Sequence, residues 1–133
     1  MSFADLLIPR PEVLSENGVE GIIDLENLRS KTKLESKPET FLALTYPTAD
    51  IKRVIGYLHQ RFSGRTDTPG LYLFEGLKGS GKSHLLLCMY HLFNSPRAGR
   101  SWLRKHGLDC ELPTDAIIVI NKFTDLPLSS IWD

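Results

Sequence analysis

The chain has 133 residues, enough for one domain, and 41% of them are hydrophobic, an ordinary share for a globular protein. Lysine and arginine number 16 and aspartate and glutamate 16, which excludes a general nucleic-acid binder with a net basic surface and leaves only a local basic patch. Acidic Asp5 interrupts the short apolar stretch 3–8, which argues against a signal peptide, and no apolar run reaches the roughly 18–20 residues of a membrane span.

Signals are weak over residues 1–37. Pro9 and Pro11 break local structure, and Asn17-Gly18 marks a turn. Residues 19–25 read as a short strand or as the start of a helix ending near Arg29, and the polar stretch 29–37 reads as a loop or linker. Residues 38–44 form a short helix or an extended segment before Tyr46-Pro47. Thr48 suits the N-cap of a clearer helix, because its hydroxyl can accept a free amide of the first turn. Ile51, Val54, Ile55, Leu58 and Phe62 then recur at helical spacing as one apolar stripe, and Ser63-Gly64 ends it.

Leu71, Tyr72, Leu73 and Phe74 make an almost wholly apolar run, as expected of a strand buried on both faces of a parallel sheet. A glycine-rich loop follows at once. Residues 82–93 read as a largely buried helix, since Leu85, Leu86, Leu87, Cys88, Met89, Leu92 and Phe93 surround much of it. Asn94-Ser95-Pro96 stops that helix. Residues 97–106 then read as a basic surface helix anchored by Trp102 and Leu103, with Gly107 as its C-terminal cap. Residues 116–120 are a second buried-strand candidate.

The loop Gly76-Leu77-Lys78-Gly79-Ser80-Gly81-Lys82-Ser83 fits the phosphate-binding pattern G-x-x-x-x-G-K-[ST] at every fixed position. A chance match in a chain this long is on the order of one in 200, and the expected strand before and helix after reduce that further. The glycines let the backbone turn tightly and approach phosphate, so that loop amides form an anion nest at the positive end of a helix. Lys82 places a point charge on the β- and γ-phosphates, and the Ser83 hydroxyl is the expected Mg²⁺ ligand. His84, in the first helical turn, either approaches the nucleotide or packs.

Other signals are weaker. Asn121-Lys122-Phe123-Thr124-Asp125 misses the guanine-reading N-K-x-D pattern by one residue, so it reads as a loop after a strand. That miss counts against a GTPase, and no phosphoryl-acceptor site is legible for a kinase. Asp24 and Asp125 are both poor fits to the Mg²⁺-holding acid at the end of a hydrophobic strand. Arg97, Arg100, Arg104 and Lys105 cluster around Trp102 as a solvated helix face or as a contact to phosphate or nucleic acid. Cys88 and Cys110 lack metal-ligand spacing and read as free thiols in a reducing cytoplasm.

From the phosphate loop outward, the chain resembles P-loop NTPases of the AAA-like class. It more closely resembles the N-terminal part of the large ATP-binding proteins of bacterial phage-defence operons, including the BREX-type ATPases, whose loops also read as an apolar strand, G-x-x-G-S-G-K-S-H and an apolar helix. The resemblance is specific over residues 71–93 and loose over 45–62 and 102–133. It implies the N-terminal piece of a larger ATPase, with the Walker B acid, sensors and arginine finger lying beyond Asp133. The expected fold is therefore α/β: an incomplete parallel-sheet P-loop core over residues 65–133, preceded by a helix-containing N-terminal extension over 1–64. The expected function is binding of ATP with Mg²⁺ through residues 76–84, with steady hydrolysis left to the longer family members. The alternative is a nucleotide-responsive interaction module, without catalysis, that docks on partner subunits through its extension. Protein subunits are the expected partners, with oligomers allowed and nucleic acid reached only through the larger system.

Overall fold

In the computed structural model, which describes residues 23–120, the described residues open with two 3₁₀ turns, Leu25–Arg29 and Leu34–Ser36. Asp24 caps the first by accepting the Glu26 amide at 3.0 Å. The helix or strand expected over 19–25 lies partly outside the described residues, and its described end is this turn. The second turn falls inside the stretch read as a linker, and it buries Glu35.

Helix α1, Pro38–Leu44, follows, with proline at its first position, where a missing N–H costs nothing. Helix α2, Ala49–Phe62, begins where the sequence indicated. The Thr48 hydroxyl accepts the Ile51 amide at 3.4 Å. Its stripe buries Ile51, Val54 and Ile55, half-buries Leu58, and leaves Phe62 exposed with its ring edge against Phe93.

Helix α3, Lys82–Asn94, carries Leu85, Leu87, Cys88, Leu92 and Phe93 into the core, whereas Leu86 is exposed. After Ser95 the chain turns directly into α4, Pro96–Lys105. The two helices pack closely at Gly99, where a Cβ would lie 2.7 Å from the Leu92 carbonyl oxygen. Any side chain here would push α4 off α3. Helix α4 also packs on α1 through Trp102, whose indole Nε1–H donates to the buried Thr45 carbonyl at 3.1 Å. A single core cluster takes side chains from α1, α2, α3 and α4, so helices on both sides of the 64/65 boundary share it.

The expected parallel-sheet core does not form. Among the described residues there is no strand and no sheet, so the α/β reading is corrected to a helical one. Residues 71–74 and 116–120 run as irregular segments. The reason is partnership: a strand exists through ladder bonds to a neighbour, and the four helices pack against one another without setting these two segments side by side as a ladder. Neither segment is buried on both faces. Leu71 and Leu73 are 88% and 81% exposed and Ile117 and Val119 93% and 77%, while Tyr72, Phe74, Ile118 and Ile120 between and beside them are half-buried. Tyr72 stacks between Tyr57 and Phe74, which holds the segment before the loop against α2.

Candidate functional site

The loop at 76–83 lies between this irregular segment and the N-terminus of α3. Gly79 and Gly81 have φ of +85° and +87°, a region closed to most side chains, and Gly81 serves as the N-cap of α3. The Ser80 amide closes a tight turn onto the Leu77 carbonyl at 3.2 Å, and the Leu85 amide bonds the Gly81 carbonyl at 2.9 Å to start the helix. By helix geometry the amides of Lys82, Ser83 and His84 have no acceptor within α3. They and the helix dipole favour an anion at this end, and the first turn holds no acidic residue to oppose it.

Lys82 is folded back over the loop. Its Nζ donates to the Gly76 carbonyl at 2.6 Å, the Leu77 carbonyl at 2.9 Å and the Ser80 hydroxyl at 3.2 Å. All three ammonium hydrogens are therefore engaged by neutral loop oxygens, and the charge is held at the centre of the loop. Those oxygens are exposed, so a phosphate group can exchange for them without leaving a buried atom unpaired. Ser83 sits half-buried at the second helical position, and Lys78 is exposed on the outer loop. The ammonium, helix-end amides and serine hydroxyl are a donor set that fits a Mg²⁺-bound triphosphate.

His84 is turned away from the loop. Its Nε2 lies 2.9 Å from the Thr45 hydroxyl, which itself donates to the Phe41 carbonyl at 2.8 Å, so the imidazole Nε2–H is the donor. The His84 ring also packs on Phe41 at 4.7 Å between centroids. What His84 offers at the loop is its backbone amide, while its side chain ties α3 to the end of α1. Asp24, caught in its turn, points its carboxylate at the Glu26 amide. Asn121 to Asp125, the other acid and base-reading candidates, lie outside the described residues.

Three buried polar residues were not visible in the sequence. Thr45 joins α1, α3 and α4 through its hydroxyl and carbonyl. His91 bonds the Glu35 carbonyl at 2.8 Å from the last turn of α3. Glu35 accepts from Asn27 Nδ2 at 2.9 Å and from the Asp24 amide at 3.2 Å. No spacing rule links Glu35 with Asn27 or His91, so only the tertiary packing reveals them.

Burial pushes the Glu35 carboxyl up, but the hydrogen bonds from Asn27 and from backbone amides, with the charge of Lys33, outweigh it and hold the group below its ordinary value. Burial pushes His84 and His91 below their ordinary 6.5; for His91 the Glu35 carbonyl and the charge of Glu39 offset part of this. Burial raises the Cys88 thiol to about 12, and burial with the Asp109 charge raises Cys110. Both cysteines are free, as expected, and neither is activated as a thiolate.

The lowered histidines make a pH prediction. A group depressed by folding contributes stability above its unfolded value and loses it as pH falls through the folded value. The urea midpoint should therefore stay flat from pH 8 to 7 and start to fall below 6.5, with Glu35 adding a second loss only below its ordinary 4.5. His84→Gln and His91→Gln should each flatten the first decline. An undiminished decline in both variants would show that other groups titrate there.

No helix among the described residues is long and apolar enough to cross a membrane. No curated protein and no solved structure matches the chain. A family model does: that of the DUF499 N-terminal domain, over residues 14–119. The match takes in the 3₁₀ turns and the four helices of the described residues and the whole glycine loop, and the chain thus belongs to the DUF499 family, as its N-terminal domain.

Proposed function

We propose that the chain binds a nucleoside triphosphate, ATP by preference, with Mg²⁺, as part of a larger ATPase. DUF499 is a domain of large ATPase-like proteins, which supports this reading. The observation that carries it is the Lys82 ammonium held by three loop oxygens at the amide end of a 13-residue helix. Lys82 neutralises phosphate charge, the amides of Gly79 and of Gly81 to His84 line the phosphates, and the Ser83 hydroxyl is the Mg²⁺ ligand. Mg²⁺, when bound, would be held on the protein side by Ser83 and would supply neutralisation of phosphate charge. The likeness of the loop to BREX-type ATPases sets the proposed context as phage defence in the cytoplasm.

Titrating the chain with fluorescent ATP and GTP analogues, with and without Mg²⁺, tests the reading. Saturable binding strengthened by Mg²⁺ is expected, with ATP the tighter ligand. Ser83→Ala should lose about tenfold of the Mg²⁺-dependent affinity, near 1.4 kcal/mol, while binding without Mg²⁺ changes little. No saturable binding by the folded chain overturns the reading.

A second reading, a nucleotide-responsive interaction module without turnover, is favoured by the bond from His84 to Thr45. That bond joins the first turn after the loop to the N-terminal extension, so a change at the loop is felt there. Deleting residues 1–37 separates the readings: lost assembly with intact nucleotide binding supports the module.

A further inference from the structure

We propose that the outer face of α4 is a docking surface for the phosphodiester backbone of a nucleic-acid duplex. Arg97, Arg100 and Arg104 stand at i, i+3 and i+7, so they form one stripe along the helix, about 10 Å long at 1.5 Å per residue. Lys105 flanks it. All four are exposed, and α4 contains no acidic residue. The described ion pairs, Arg53 with Asp50 and Arg65 with Asp67, lie elsewhere. Glu111 lines a cavity of about 270 Å³ with Arg100, yet no ion pair joins them.

Helix stability does not account for this pattern. Arg104 and Lys105 suit the negative end of the helix dipole, but Arg97 stands in the first turn, where a cation is disfavoured. The stripe is also rigidly mounted. Ala98, Trp102 and Leu103 are buried beneath it, and the Trp102 indole is bonded to Thr45.

The face selects the class of partner. A protein interface is usually centred on an aromatic or aliphatic anchor. Single-stranded nucleic acid is gripped by stacking on exposed aromatics. The stripe offers neither, because Trp102 and Leu103 both point inward. Its side chains are forked cations, which suit phosphate oxygens. Backbone contact alone carries no base sequence, so the expected binding is sequence-independent and salt-sensitive. A balanced net charge and only three or four contacts make it weak at physiological salt.

The test is fluorescence anisotropy of the chain, without nucleotide, against labelled DNA and RNA duplexes of arbitrary sequence in a salt series. Three phosphate contacts predict a loss of about 40-fold in affinity between 50 and 200 mM salt, from a slope near −0.9 per contact. The triple variant Arg97→Gln, Arg100→Gln, Arg104→Gln should keep its urea midpoint and lose most of the affinity and of the slope. Absence of duplex binding at low salt overturns the proposal, as does a triple variant with unchanged affinity and slope. Polyglutamate that competes as well as duplex at equal charge overturns it in favour of an acidic polypeptide.

Discussion

Replacing Lys82 with alanine is expected to lower affinity for ATP·Mg²⁺ at least about a hundredfold and to leave stability within about 0.5 kcal/mol. A hydrogen bond to a charged group is worth roughly 1.5–3 kcal/mol net, and the ammonium can make two to the β- and γ-phosphates. The gross effect, about 3–6 kcal/mol, is reduced because the amine already bonds the Gly76 and Leu77 carbonyls and the Ser80 hydroxyl. Phosphate must displace those bonds, and the hundredfold figure is the lower end. Stability is spared because the freed oxygens are exposed and take water. Lys82→Arg is not expected to rescue, since a planar guanidinium cannot fold onto the same three oxygens as a compact ammonium. The titration that establishes wild-type binding reads both variants directly. Unchanged affinity in Lys82→Ala would sink the assignment of the loop.

What could be read in advance was what depends on near neighbours. The phosphate loop is eight consecutive residues, and its turn, left-handed glycines and helix start follow from them. The Thr48 cap, the Ile51–Val54–Ile55 stripe, the stop at Asn94-Ser95-Pro96 and the inward anchors Trp102 and Leu103 are likewise local, and the structure has them. The two expected strands failed because an apolar run of four or five residues shows only that a segment can be buried. Whether it becomes a strand depends on a ladder partner far along the chain. The same limit hid the polar core. Glu35 sits in a charged stretch that reads as solvent-facing, yet Asn27, Asp24 and His91 surround it. For His84 the sequence leaves approach to the nucleotide and packing both open, and only the tertiary structure decides: its side chain is 2.9 Å from Thr45, 39 residues earlier.

Trp102→Ala is the substitution expected to cost most stability. The indole is almost fully buried among α1, α3 and α4 and lies against His106 at 4.9 Å between centroids. Removing a buried tryptophan costs about 3–5 kcal/mol through lost burial and the cavity left behind. The Thr45 carbonyl, which accepts from the indole, would also be orphaned in the core at roughly 1–3 kcal/mol. A domain of this size has only about 5–15 kcal/mol in total, so the variant should be partly or wholly unfolded at 37 °C. Trp102→Phe separates the two causes: it keeps most of the packing but not the bond, and should lie between alanine and wild type. The urea midpoint should fall by about 2 M for alanine, given a slope of roughly 1–3 kcal/mol per molar. An unchanged midpoint would mean that α4 is not docked on α1 through this residue. Loss of the bond also reaches the loop. Thr45 offers its carbonyl to Trp102 and its hydroxyl to His84, and His84 adjoins Ser83. Freed from α4, Thr45 can shift, and the first turn of α3 shifts with it. The folded fraction of Trp102→Phe should therefore bind ATP·Mg²⁺ more weakly than wild type, although residue 102 touches no part of the loop. Equal affinity at equal folded fraction would show that the loop is positioned by its own turn and by α3 alone.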